Sequence, residues 1–288
     1  MFDFDILDSK TLLGESGFYL DRTNEIVFLD LIKPSIIFYS IDTKILTKLN
    51  LKLKKPLGNV YPVNDNNFII SSYEGMHIYN RKKNTLKYFN DIRKINELDN
   101  ISYNDGTISK NKLWIGLSHI KESKNLGYFG YLQNKNFVTI DKGFKVSNGP
   151  AIDEKKGYLY FSDSSKSCIY QYNLKNLKKK TLIKFKRNQG FPDGITLDNK
   201  NGLWVAHWAG GQVSRINLNS KKIDFSIKIP ALNVTSVTFV GKKLNHLFIT
   251  TAKIETSKNH LKNYKYSGSS FIIKTEYTGL KIPYYNMR

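Results

Sequence analysis

Short apolar runs broken by polar turns, with no long stretch at helical spacing, set the pattern of this chain. Residues 190–211 show the unit. A Pro192-Asp193-Gly194 turn is followed by an apolar alternation at Ile195 and Leu197, a polar hairpin turn at 198–202 and a second apolar run at 203–206. Strand, turn, strand opens an antiparallel sheet. The order recurs, with apolar cores at 26–29, 68–70, 113–116, 159–161, 203–205 and 247–249. Their starts lie about 44 residues apart, inside the period range of propeller blades. Further strand-like runs follow most cores, at 36–39, 169–172, 212–216 and 270–273, and a fourth often comes after, as at 45–51 and 222–229. This predicts an all-β, six-bladed β-propeller formed by one domain over 1–288. A β-sandwich or barrel is the alternative for the same short strands. A blade buries its faces only against its neighbours, so the ring has to close. An N-terminal strand, at Phe2 to Leu7 or at Phe18 to Leu20, is expected to complete the last blade.

Composition agrees with sheet. Aromatic residues make up 13% of the 288 residues, and the seven prolines and absence of a Ser/Gly-rich tract give no sign of an interdomain linker. Cys168 is the single cysteine, so no intramolecular disulfide is possible. The acidic start MFDFDILDSK lacks the apolar core of a secretory signal, and no apolar run reaches the roughly 20 residues that span a bilayer. The expectation is a cytoplasmic protein with no membrane partner. The formal net charge is +21, but the lysines are scattered through turns such as 54–55, 178–180 and 242–243. Few arginines accompany them, so a solvated basic surface is expected and no specific nucleic-acid partner.

The candidate chemistry lies about ten residues before each apolar core. There the chain carries Gly14-Glu15-Ser16, Asn104-Asp105-Gly106, Ser147-Asn148-Gly149, Pro192-Asp193-Gly194 and Thr235-Ser236, while the second unit has only Asn59-Val60-Tyr61-Pro62. Asn-Gly and Asp-Gly are also ordinary turn pairs. In a propeller, however, one repeat position returns by rotation to the same distance from the axis. Glu15, Asn104, Asn148 and Asp193 are then expected to face one another at one mouth of the tunnel. Two acids held together repel unless a proton or cation lies between them. Oxygen donors suit a hard divalent ion, most simply Ca²⁺.

The same residues resemble the signatures of the gluconolactonase/regucalcin (senescence marker protein) family. The similarity runs through LGES (13–16), NDG (104–106), SNGPAID (147–153), LYFSDS (159–164), PDGITLD (192–198), GLWVAHWAGGQVSRI (202–216), TSVTFVG (235–241) and LFITTA (247–252). It implies a six-bladed propeller with one divalent metal in the tunnel, Ca²⁺ first, with Zn²⁺, Mn²⁺ or Mg²⁺ as alternatives. By resemblance Glu15, Asn148 and Asp193 match the metal ligands, and Asn104 matches a residue that contacts substrate or metal-bound water. The family's substrate-holding arginine is replaced by Ser102, next to Tyr103, and a family glutamate corresponds to Glu122. The implied activity is hydrolysis of a sugar lactone to the aldonic acid, with Asp193 as general base, by a monomer or dimer. The alternatives are an esterase or phosphotriesterase on the same metal site, or a non-catalytic calcium-binding propeller.

No Gly-x-Ser-x-Gly elbow is present, and His77, His119, His207, His246 and His260 show no paired zinc spacing. His207 is a candidate for the cavity wall, with His119 and Trp208 behind it. The Lys-rich segment 253–265 is expected to be a surface excursion.

Overall fold

The computed structural model describes residues 3–95, 98–133 and 135–287. Within them the chain forms six four-stranded antiparallel sheets arranged as blades. Five blades are simple meanders in chain order. The sixth is completed by Asp5–Leu7, which pairs with Ser270–Lys274 as its outer strand, so the first and last described strands share one sheet. Of the two segments expected to close the ring, 5–7 does so, whereas Phe18 to Leu20 belong to the innermost strand of the first blade. Phe2 lies outside the described residues.

All six apolar cores seen in the sequence are second strands. They read as continuous apolar runs because a strand inside a blade is covered on both faces by its neighbours. The ring is held by large side chains across the blade interfaces. Phe28 meets Phe248 between the first and last blades at 5.0 Å, Phe38 meets Phe68 at 5.3 Å, Phe129 meets Phe161 at 4.2 Å and Trp204 meets Phe239 at 6.0 Å between ring centroids. Such tilted and edge-on contacts suit the aromatic quadrupole.

The innermost strands are Gly14–Leu20, Leu57–Pro62, Ile101–Ser109, Ser147–Asp153, Phe191–Leu197 and Asn233–Val240. Each carries a bulge at the same place, two of its residues facing one on the second strand. The pairs are Ser16-Gly17, Gly58-Asn59, Asn104-Asp105, Gly149-Pro150, Asp193-Gly194 and Thr235-Ser236. A bulge re-aims the side chains beside it, here at the narrow end of every wedge. The glycine of Asp193-Gly194 answers to crowding, because a Cβ there would lie 2.8 Å from Ser236 Cα in the next blade.

This register corrects the single repeat position expected from the sequence. Glu15 and Asn148 are the last paired residues before their bulges, while Asn104 and Asp193 are the first residues inside theirs.

The far end of the tunnel is crossed by the C-terminal segment. Asn199 N donates to Thr278 O at 2.8 Å, Leu280 N to Leu197 O at 3.0 Å, Tyr285 N to Pro62 O at 2.8 Å and Asn286 N to Asn111 Oδ1 at 2.7 Å. It therefore touches blades five, two and three, and Ile282 helps line the small tunnel cavity above it.

Candidate active site

At the other end, where the bulges begin, a pocket of about 270 Å³ opens. Glu15, Asn104, Asn148, Asp193 and Glu122 all line it, so the ring brings these five candidates together. Their hydrogen bonds order the floor. Asn104 Nδ2 donates to Ser147 O and to Asn148 Oδ1, both at 2.7 Å. Asn148 Nδ2 donates to Ser164 Oγ at 2.9 Å, and that hydroxyl donates to Pro192 O at 2.6 Å. The chain of contacts fixes both amides.

The carboxylates are poorly compensated. Glu15 is 6% exposed and Asp193 5%. Burial holds the Glu15 carboxyl well above the usual range, the charges of Asp105 and Asp193 add to this, and the Ser16 N–H at 3.1 Å opposes it. Asp193 is raised well above its usual value by burial, then by Asp105 and Glu122, against one N–H from Gly194. Its Oδ1 is buried with no hydrogen-bond partner. A buried acceptor left unpaired, beside like charges, is costly unless a ligand or proton answers it.

Asp105 was missed as a site residue, although the NDG motif contains it. It is buried, faces the same acids from the tunnel side, accepts Gly149 N at 3.1 Å and is itself raised by burial. Its signal was its place as the second residue of a bulge pair, and the bulge shows only once the strands are paired. Ser164, Trp208 and Glu255 also line the pocket. Glu255 comes from the segment expected to be a surface excursion. That segment does carry a short helix, Lys258–Asn263, capped by Ser257. Its first residues turn back to the mouth, where Lys253 N and Ile254 N both donate to Leu12 O.

Three expected wall residues lie elsewhere. Tyr103 faces the core, where its hydroxyl donates to Asp91 Oδ1 at 3.2 Å and accepts from Ile92 N at 3.0 Å. Ser102 is buried against the second strand, its hydroxyl 3.5 Å from Ser118 O. His207 is fully buried behind the wall, with Nε2 2.6 Å from Ser214 Oγ and its ring edge-on to Phe185. Strand alternation turns it inward and presents its neighbour Trp208 to the pocket.

Among the described residues no group of three or more His, Cys, Asp or Glu side chains is placed to hold a metal ion. A cation here would need an amide oxygen as well as carboxylates, and Asn148 supplies one beside Glu15 and Asp193. The all-oxygen donor set and the orphaned Asp193 Oδ1 fit a hard divalent ion.

The profile of the SMP-30/Gluconolactonase/LRE-like region matches residues 13–253. The chain belongs to this family. As a member it is 24% identical over 286 residues to regucalcin of Danio rerio, covering 96% of this chain and 94% of that one. It is 27% identical over 188 residues to the 6-deoxy-6-sulfogluconolactonase of Pseudomonas putida, covering 63% of this chain and 64% of the relative. The crystal structure of regucalcin from Agrobacterium tumefaciens, described as a calcium-binding protein, superposes with a TM-score of 0.91 at 18% identity, covering 99% and 98% of the two chains. That likeness establishes the six-bladed fold of this family member. No described helix is long and apolar enough to cross a membrane.

Proposed function

We propose that the protein hydrolyses a sugar lactone to its aldonic acid with the help of a divalent cation, Ca²⁺ in the first place. The observation that carries this reading is Asp193, a buried carboxylate with one unpartnered oxygen on the floor of a ligand-sized pocket. Membership of the family and the lactonase name of a relative support it.

Glu15, Asp193 and Asn148 would hold the cation. When bound, it polarises the ester carbonyl and offsets the negative charge that develops on its oxygen. Asp193, which lines the pocket with one carboxylate oxygen unpartnered, takes a proton from the attacking water as that water adds to the carbonyl carbon, an effect on the order of 10²- to 10⁴-fold in rate. The ring C–O bond then breaks, and its oxygen leaves as a hydroxyl after receiving the proton. Asn104 Oδ1 orients the water or a ring hydroxyl, while its amide hydrogens keep Asn148 in place. Asp105, a third acid beneath the site, adds its charge to those that a bound cation would offset.

The experiment is a lactone panel read with a pH indicator, first after chelation and then with Ca²⁺, Mn²⁺, Mg²⁺ or Zn²⁺ restored. Turnover should vanish on chelation and return with the metal. Undiminished turnover in D193A would remove Asp193 as base. A calcium-binding propeller without turnover is the second reading, favoured by the three buried acids; it predicts cation binding and no hydrolysis across the panel.

A further inference from the structure

The pocket mouth is acidic in a protein whose formal net charge is +21. Besides Glu15 and Asp193 it is lined by Glu122 and Glu255, and among the described residues no Lys, Arg or His lines it. Lys121 and Lys253, their neighbours in sequence, are exposed and do not line the pocket. Glu122 and Glu255 come from different blades and both sit in left-handed backbone, at φ 49° and 56°. Such a conformation is uncommon for a glutamate and is held here by turns. Glu122 N donates to His119 O at 2.7 Å, and Ile254, just before Glu255, is tied to Leu12 O at 3.1 Å. The two acids sense each other: after its partial desolvation, the charge of Glu255 raises the Glu122 carboxyl. By formal charge, one divalent cation on the floor offsets two of the five acidic groups formed by these four and Asp105.

Between the acids the wall is apolar. Leu13, Leu31, Val146, Phe191, Trp208 and Ile254 form it. Phe191 and Trp208 are direct partners across two strands, and Phe191 is 37% exposed. Together they make a platform at the entrance that no side chain of the described chain covers completely.

We propose that this pocket, taken as the lactonase site argued above, selects uncharged lactones with an apolar substituent or ring face away from the ester, and rejects lactones that carry phosphate, carboxylate or sulfonate. An anionic group would have to enter past Glu122 and Glu255 with no cationic side chain to receive it. An apolar group instead covers Phe191 and Trp208 and displaces their water.

The test is a matched series of glucono-δ-lactones bearing a hydroxyl, a hydrogen or a phosphate at C6, assayed with saturating Ca²⁺ at low ionic strength. kcat/KM for the 6-deoxy lactone should equal or exceed that of the parent. The 6-phospho lactone should fall about tenfold or more below it, mainly through KM, as expected for like charges meeting at a solvated mouth. Added salt should narrow that gap. E122Q/E255Q should raise kcat/KM for the phosphorylated lactone about tenfold by the same charge argument, with the ratio of the two neutral lactones unchanged. E255Q alone, in a loop outside the strands, serves if the double variant melts early. A phosphorylated lactone turned over within about threefold of the parent, or a double variant that moves all three substrates equally, overturns the inference and leaves the lactonase reading standing. No turnover of any member overturns both.

Discussion

Asn104 Nδ2 lies 2.7 Å from Asn148 Oδ1, a contact between the innermost strands of neighbouring blades that joins two candidate site residues. The same nitrogen holds Ser147 O, so one amide group sets the orientation of the other. Replacing Asn104 by Ala removes that orientation while leaving Glu15, Asn148 and Asp193, the proposed cation ligands, in the chain. Loss of a buried hydrogen bond of this kind costs about 1–3 kcal/mol. The expected result in N104A is a fall in kcat/KM of roughly 10- to 100-fold together with weaker Ca²⁺ binding by calorimetry.

The proposed base, Asp193, is also a source of instability. Its buried Oδ1 is unpartnered and its charge repels those of Asp105 and Glu122. D193N keeps the shape and removes the charge. Turnover should disappear, yet the metal-free protein should melt a few degrees higher than wild type, since uncompensated buried charge is destabilising. Ca²⁺ should raise the melting temperature of the wild type and leave that of the variant unchanged. Scanning calorimetry with chelator and with Ca²⁺ reads both effects.

The C-terminal segment acts as a strap across the far mouth. Gly279 N donates to Leu244 O at 2.8 Å, and Tyr284 packs edge-on against Phe18 at 5.9 Å. A Cβ at Gly279 would come within 2.2 Å of Phe239, so this crossing admits no side chain. G279V should destabilise the fold by about 2–4 kcal/mol in urea unfolding, the scale of an overpacked core position. Its Ca²⁺ affinity in the folded state should stay within about threefold of wild type, because the site lies at the opposite end and distant sites act independently.

His207 makes stability depend on pH. Burial first, and then the Lys228 charge, push its pKa down to about 4. The Gln189 carbonyl pulls the other way without the geometry of a hydrogen bond to Nδ1. Above the unfolded value near 6.5 the ring is neutral in both states, and its contribution is complete. Between that pH and about 4 the unfolded chain takes up a proton that the folded chain refuses, so stability falls with pH, by about 3 kcal/mol in all. Urea unfolding at pH 7 and pH 4.5 should show a smaller loss in H207N than in wild type by a good part of that amount.

The chain itself determined the blades and the raw material of the site. Apolar second strands at a regular period need burial on both faces, and only neighbouring copies provide it. The polar positions before them follow from the same repeat, which is why Glu15, Asn104, Asn148 and Asp193 were legible without coordinates. Tertiary structure decided where side chains point and which distant residues meet. One extra residue in each innermost strand moved the site onto two successive positions and aimed Asp105 at the acids. Plain strand alternation sent His207 inward and brought Trp208 to the pocket. Glu122 and Glu255 met only because the ring closed, and no local pattern encodes a distance across the axis. The physical reason is the same throughout: periodicity reports what has to be buried, while the direction of a side chain depends on pairing register and on the partner that finally packs against it.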